Sequence, residues 1–153
     1  MNIDKVETLN IVSLFKLIIF NILTLGIYGG QYIKLLSEKL NQLDDIKHPI
    51  NLHLCLTIVT LIYVNALFSI STVFYSGSEL FHAASSLVSL ITWVAVLVWA
   101  LKVRDILNST LLLKKGDENW FSLAWTVIFN YLYFNHKIEL ICRGPSRDSV
   151  ENT

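Results

Sequence analysis

Basic residues are missing from the middle of this chain. None of its 12 lysines and arginines lies between Leu52 and Leu101, and the only formal charge in that stretch is Glu79. Because a charge near the centre of a bilayer is costly, a long stretch without basic residues is typical of membrane-crossing helices. The sequence therefore predicts an integral membrane protein.

Cysteines and clusters of metal-binding residues are also rare, and the net charge is zero. Cys55 and Cys142 form no C-x-x-C pair, which argues against a disulfide framework and against a redox site. His53 lies two residues before Cys55 and points away from it on a helix, so no metal site is expected. The 12 basic and 12 acidic residues cancel and form no basic stripe, which argues against nucleic acid as a partner.

Sequence patterns of known catalytic sites are also missing. The chain contains neither a nucleophile elbow nor a glycine-rich phosphate loop. We therefore expect no catalytic residues, no metal and no cofactor, and we predict that the protein is not an enzyme.

Two long apolar segments fill the stretch without basic residues. Leu52–Tyr75 has 24 residues and Leu80–Leu101 has 22. Each is long enough to cross about 30 Å of hydrocarbon at about 1.5 Å per residue. Only residues 76–79 separate them, so we predict a tight turn and an antiparallel helical hairpin.

Two weaker apolar segments, residues 11–30 and 120–134, flank this hairpin. If all four segments crossed, the basic residues would divide five against seven, whereas a crossing by the hairpin alone would place all twelve on one side. Cytoplasmic loops carry the excess of lysine and arginine, so we favour the second topology. It makes both ends cytoplasmic and the outer segments re-entrant or interfacial. A plain four-helix bundle is the alternative.

A glycine-rich turn and an amphipathic helix follow the first segment. Glycine tolerates sharp bends, so Gly26, Gly29 and Gly30 are predicted to bend the chain. Residues 31–47 then alternate apolar and charged positions with helical spacing, which predicts a helix on the cytoplasmic surface. The apolar stripe of this helix is the candidate partner surface and consists of Ile33, Leu36, Leu40 and Leu43.

The two outer segments share a short pattern. The residues Ser13-Leu14 and Ile19-Phe20-Asn21 recur 109 positions later as Ser122-Leu123 and Ile128-Phe129-Asn130. The two asparagines thus take equivalent places, where each needs a hydrogen-bond partner within an apolar run. Packing against a neighbouring helix is favoured over ion coordination.

Further polar residues lie inside the predicted hairpin. Hydroxyls and amides that face one another are typical of a packing seam between helices, whereas a permeation path usually carries acidic or basic residues as well. The crossing segments have none, so we favour packing. The predicted intramembrane polar seam consists of Asn21, Asn65, Ser69, Ser85, Ser89 and Asn130.

Two short motifs carry a resemblance. The first is Thr24-Leu25-Gly26-Ile27-Tyr28, and the second comprises Trp125-Thr126, Phe129, Leu132-Tyr133 and Lys137-Ile138. With the central hairpin, they make the chain similar to a group of small bacterial membrane proteins of unknown function with a TLGIY-type motif. The tryptophan often found after the glycine-tyrosine turn in that group is replaced here by Gln31-Tyr32. The resemblance implies a multi-pass inner-membrane protein and supplies no catalytic residue.

Taken together, these patterns predict an all-α membrane protein. Its central transmembrane hairpin is flanked by two shorter membrane-embedded helices and a cytoplasmic amphipathic helix. Residues 1–143 are expected to form one membrane domain, and residues 144–153 a flexible tail. We expect contact with the lipid bilayer and an interaction or accessory role, with an identical subunit or another membrane protein as partner. A small oligomeric channel or transporter, lined by the seam, is the alternative.

Overall fold

A computed structural model describes residues 3–43, 46, 49–71 and 79–143. Within these residues all regular secondary structure is helical. The helices are α1 (Ile3–Leu9), α2 (Leu14–Leu23), α3 (Ile27–Asn41), α4 (Leu52–Ser71), α5 (Glu79–Thr110) and α6 (Leu123–Arg143). Residues 72–75 of the predicted segment Leu52–Tyr75, residues 76–78 of the predicted turn 76–79 and the predicted tail 144–153 lie outside the described residues.

Three stretches of the described chain are long and apolar enough to cross a membrane. They are Val6–Leu23, Leu52–Ser71 and Glu79–Thr110. The last two coincide with the predicted central segments, although α5 continues past Leu101 as far as Thr110. The first stretch is interrupted between α1 and α2, and α2 alone has 10 residues. At about 1.5 Å per residue, α2 covers about 15 Å, or half the hydrocarbon thickness.

Helices α4 and α5 pack against each other and run in opposite directions. The rings of Phe68 and Phe81 are 5.3 Å apart, and Asn65 accepts a hydrogen bond from Ser89 at 2.7 Å. Residues that lie earlier in α4 thus meet residues that lie later in α5. We call the end of the molecule at which α4 begins the head side, and the opposite end the far side.

Helices α2 and α3 form a second hairpin. The rings of Phe20 and Tyr28 are 5.1 Å apart, so the chain turns back between them. The reversal occurs at residues 24–26, which we call the first tip. Leu25 and Gly26 both adopt left-handed backbone there, with φ values of 51° and 91°, and this conformation ends α2 in the way that commonly closes helices.

Helix α6 also folds back on itself. Asn130 has φ 33° and ψ −113°, which divides α6 into residues 123–129 and 131–143. The Tyr133 hydroxyl accepts the backbone N–H of Ser122 at 3.0 Å. A straight helix would separate residues eleven apart by about 16 Å, so the chain must reverse at Asn130. We call Asn130 the second tip.

The hydrophobic core lies on the head side, where α3, α6, the start of α4 and the end of α5 meet. Trp99 and Phe134 are fully buried there, with their rings 5.9 Å apart in an edge-on arrangement. Helix α1 closes the core with Val6 and Leu9, which are also buried. Apolar burial is therefore concentrated at one end of the hairpin.

The apolar stripe of the amphipathic helix differs from its predicted role. Helix α3 ends at Asn41, short of the predicted residue 47, and its Ile33, Leu36 and Leu40 are completely buried. Leu43 is half-buried and packs against the same core. Because the stripe belongs to the protein's own core, it offers no exposed partner surface.

Candidate functional site

The first tip satisfies its own backbone hydrogen bonds. The first turn of a helix leaves N–H groups without intrahelical partners. Here the Thr24 hydroxyl accepts the N–H of Tyr28 at 2.9 Å, and the Asn21 side-chain oxygen accepts that of Gly29 at 3.1 Å. The N–H groups of Ile27 and Gly30 donate to the Thr24 and Gly26 carbonyls. A helix break with this pairing can lie in an apolar environment, where unpaired backbone groups are costly.

The two tips are joined by side chains. Tyr131, which follows the second tip, makes a hydrogen bond to Asn21, and its ring centroid lies 6.3 Å from that of Tyr32. Asn130 itself accepts the N–H of Tyr131 with its side-chain oxygen at 2.8 Å. The structure thus brings Asn21 close to the residues around Asn130, the equivalent position in the repeated pattern.

The three glycines of the predicted bend have different environments. Only Gly26 has positive φ and lies at the bend. Gly29 and Gly30 are buried inside α3, where a Cβ on Gly29 would lie 2.5 Å from the Asn21 side-chain oxygen, and one on Gly30 would lie 3.1 Å from Ile62. These two glycines therefore allow close approach of neighbouring segments. The sequence pattern did not distinguish this role from bending.

The first tip lies beside the middle of α4, and the second tip lies at a similar level. Gly30, one turn after the first tip, packs on Ile62, and Gln31 donates to the Tyr63 hydroxyl at 3.2 Å. Helix α4 runs from Leu52 to Ser71, so Ile62 is close to its midpoint. The second tip is at the same level because Tyr131 contacts Asn21.

The residues of the predicted polar seam lie in separate regions of the structure. Asn65 donates to Thr92 at 2.7 Å and accepts from Ser89 at 2.7 Å, and Ser69 donates to the Asn65 carbonyl at 2.9 Å. Ser85 is half-buried on α5. Asn21 and Asn130 belong to the tips instead. The groups around Asn65 bond across the α4–α5 interface.

A buried hydroxyl that the sequence did not single out joins three helices. Ser37 of α3 accepts the indole N–H of Trp99 at 2.8 Å and donates to the Ile33 carbonyl at 2.7 Å. Its hydroxyl also makes a hydrogen bond with the Cys55 thiol of α4. The only sequence signal was a serine within the apolar stripe of α3.

Two asparagines close the long connections in the same way. Asn41, at the end of α3, donates to the Ile50 carbonyl at 2.8 Å and accepts the Ile50 N–H at 2.7 Å. Asn108, near the end of α5, pairs with the carbonyl and N–H of Phe121 at 3.1 and 2.9 Å. Each amide therefore replaces two backbone partners and fixes the start of the next helix.

Glu139 holds the entry of α2. Its carboxylate accepts the N–H of Leu14 at 3.0 Å, and one turn earlier Asn135 donates to the Val12 carbonyl at 2.8 Å. The hydrogen bond from Leu14 and the nearby Arg143 hold the pKa of the Glu139 carboxyl below its usual value, although burial opposes them. A negative charge at this position also favours the helix N-terminus.

The outer segments present an apolar surface. Helix α2 exposes Phe15, Ile22 and Leu23, which are each about 70% accessible. The first limb of α6 exposes Leu123, Trp125, Ile128 and Phe129, and the Trp125 and Phe129 rings are stacked 5.6 Å apart. A surface of this kind needs an apolar neighbour.

Leu112 is an exposed apolar residue in a strained backbone conformation. It ends α5 with φ 52°, while the N–H of Leu113 bonds to the Asn108 carbonyl and that of Leu112 to the Ser109 carbonyl. Glycine is the usual residue at this position of a helix end. Leu112 is nevertheless 84% accessible and is followed by the exposed Lys114 and Lys115.

Among the described residues, no group of three or more histidine, cysteine, aspartate or glutamate side chains could hold a metal ion. The searches against curated proteins and solved structures found no match to this chain. A family model does match residues 12–109, which include both central helices and the first tip. The chain therefore belongs to the family described as a domain of unknown function, DUF4234.

Proposed function

We propose that the protein is a non-enzymatic accessory component of the bacterial inner membrane that holds a membrane-protein partner or a second copy of itself on its cytoplasmic side. Helices α4 and α5 cross the bilayer, and the two outer hairpins enter from the cytoplasmic side and return. This topology places all 12 basic residues on the cytoplasmic side.

The depth of the tips supports this topology. The first tip lies beside Ile62, near the middle of a helix that crosses the bilayer. Lys16 and Lys34 are nine residues before Leu25 and eight residues after Gly26, or about 14 and 12 Å away along their helices. Half of the hydrocarbon core is about 15 Å thick, so both lysines reach the cytoplasmic interface when the tip is at the bilayer centre.

The polar groups within the crossing helices support a structural role over a conducting one. Asn65 of α4 makes hydrogen bonds to both Ser89 and Thr92 of α5. A permeation path along this interface would have to break these bonds. The known hydrogen-bond partners thus favour an accessory component over a channel.

Leu112 is the single observation that carries the proposed role. A leucine with positive φ costs about 1 kcal/mol relative to glycine, so the fold alone favours glycine at this position. The side chain is 84% accessible in a connection that lies outside the crossing segments. Contact between the exposed Leu112 side chain and a partner would explain why leucine is present here instead of glycine.

The topology is tested by labelling single cysteines with an impermeant reagent in intact cells. Cysteines at Lys5, Asp44, Lys115 and Ser149 should be protected, and one at Ser78 should react. Reaction at both termini would contradict the proposed topology and support an opposite orientation or four crossings.

The partner role is tested with Leu112→Gly, which removes the exposed side chain and relieves the backbone. Crosslinking in native membranes followed by affinity capture should show loss of the partner or second copy, with unchanged or higher thermostability in detergent. Leu25→Gly makes the same exchange at the first tip and should keep the partner. If Leu112→Gly retains the crosslinked species at the wild-type level, Leu112 is not the contact and the proposed role fails.

A further inference from the structure

We infer that the protein is a wedge that occupies more area in the leaflet on its head side than in the opposite leaflet. It should therefore favour membranes in which the head-side leaflet is convex. This inference rests on the topology proposed above, because it requires the two tips to lie at the bilayer centre.

The number of helical segments differs between the two leaflets. Up to the level of the tips, the head-side leaflet contains α2, α3, α4, α5 and the two limbs of α6. Beyond the tips, only α4 and α5 remain among the described residues. A helix about 10 Å wide covers about 80 Å² in the membrane plane, so four additional segments cover about 300 Å² more in the head-side leaflet.

Lipid is the neighbour that suits the exposed apolar side chains of both halves. On the head side, the exposed faces carry Phe15, Ile22 and Ile128, and on the far side they carry Leu67 and Leu80, with accessible fractions from 64% to 82%. Burial in acyl chains suits these side chains without a second protein surface. We therefore assign lipid to the space beside the far half of α4 and α5.

The wedge is held rigidly. Gly30 packs against Ile62, Gln31 bonds to Tyr63, and Asn21 contacts both Gly29 and Tyr131. These contacts attach the first outer hairpin to α4 and the second outer hairpin to the first. The hairpins cannot swing out of the leaflet without breaking them, so the bilayer must adapt to the shape of the protein.

The test is the orientation of the protein in vesicles of two sizes. Lys115→Cys in a Cys142→Ser background marks the head, and an impermeant thiol reagent reports the outward fraction; Cys55 is fully buried. In large, nearly flat vesicles the two orientations should be close to equal. In small vesicles, whose outer leaflet is strongly convex, the outward orientation should become predominant. An outward fraction that is the same at both sizes overturns the inference.

Two matched variants test whether the tip causes the effect. Leu25→Asp places a charge at the first tip, where the bilayer centre rejects it, and should abolish the dependence on vesicle size. Gln42→Asp introduces the same charge at an exposed position just after α3, outside the membrane, and should leave the dependence intact. Retention of the dependence in Leu25→Asp, or its loss in Gln42→Asp, contradicts the inference.

A depth measurement separates failure of this inference from failure of the proposed topology. A fluorophore on Leu23→Cys should be quenched by lipids brominated at the middle of the acyl chain. If it is quenched but orientation does not depend on vesicle size, the topology stands and the wedge inference fails. If it is quenched only by headgroup probes, the tip is not at the bilayer centre and both fail.

Discussion

The head-side and far-side halves of α5 are stabilised by different interactions. On the head side, Trp99, Val103 and Leu107 are almost completely buried among α3, α4 and α6. On the far side, Leu87 and Leu90 remain more than half accessible, and α4 is the neighbouring helix. One continuous helix therefore passes from a packed core to a two-helix arrangement.

The difference follows from the number of helical segments around each half. Among the described residues, the head-side half of α5 lies beside α3, α4 and α6, whereas its far-side half has α4 alone as a neighbour. Exchange of lipid for protein around an apolar side chain gains little, so helices in lipid rely on close packing and hydrogen bonds. The head side can thus gain stability from a closely packed core, whereas the far side depends more on the bonds around Asn65.

The largest expected effect comes from removing a core ring on the head side. Trp99→Ala should lower the free energy of unfolding by about 3 to 5 kcal/mol, because it leaves a cavity and removes the donor to Ser37. The measurement is denaturation in mixed detergent micelles. Trp93→Ala, on the half-accessible face of the same helix, is the control and should change stability little. Equal losses in the two variants would erase the distinction between core and lipid-facing surface.

The next effect concerns the boundary between the halves, where the tips lie. Gly29→Ala should lower the free energy of unfolding by about 1 to 3 kcal/mol, because the new methyl group would displace Asn21 and Tyr131. In Gly30→Ala the new methyl group is close only to the flexible Cδ1 of Ile62, at 3.1 Å, and the other Ile62 atoms lie at ordinary contact distance, so this change should cost less. Thermal unfolding in detergent measures both. A larger loss for Gly30→Ala would mean that the tip depends on α4 more than on the second tip.

The sequence contained more information about the far side than about the head side. Length and apolarity were sufficient to identify α4 and α5, because crossing a bilayer requires about 20 apolar residues whatever their neighbours. This requirement does not depend on knowing which side chains meet. On the head side, the repeated pattern around Asn21 and Asn130 linked the two outer segments, and a hydrogen bond joins Asn21 to Tyr131.

The head side could not be predicted in the same way. The stripe of Ile33, Leu36 and Leu40 has the same spacing whether it faces lipid, a partner or the protein's own core. The amides of Asn41 and Asn108 bond to residues 9 and 13 positions away, a pairing set by loop closure rather than by periodicity. Tertiary contact therefore decided what the local pattern left open.

A smaller effect is expected for the hydrogen bonds of the far side. Asn65→Ala removes the bonds to Ser89 and Thr92 and should lower stability by about 1.2 kcal/mol, because such bonds in membranes average about 0.6 kcal/mol each. Asn108→Ala removes two buried bonds on the head side and should cost about 1 to 3 kcal/mol. Unfolding of both variants in the same micelles gives the comparison. An equal or larger loss for Asn65→Ala would show that the far side depends on polar contacts as strongly as the head side.

The smallest expected effect is the pH dependence at the head-side end of α2. Because the folded pKa of Glu139 lies below its unfolded value of about 4.3, the ionised carboxylate is the stabilising form. Its contribution is complete above the unfolded pKa and is lost as the pH falls through the folded pKa. Glu139→Gln keeps an acceptor for Leu14 but removes the charge, so it should lose about 0.3 to 1 kcal/mol near neutral pH. The free energy of unfolding of this variant should also fall less steeply in acid.

The control is Glu118→Gln, in the exposed connection before α6. It removes the same charge without a helix N-terminus beside it and should retain the wild-type pH dependence. If Glu139→Gln follows the wild-type curve throughout, the contact with Leu14 acts as an ordinary hydrogen bond and its charge contributes nothing to the entry of α2.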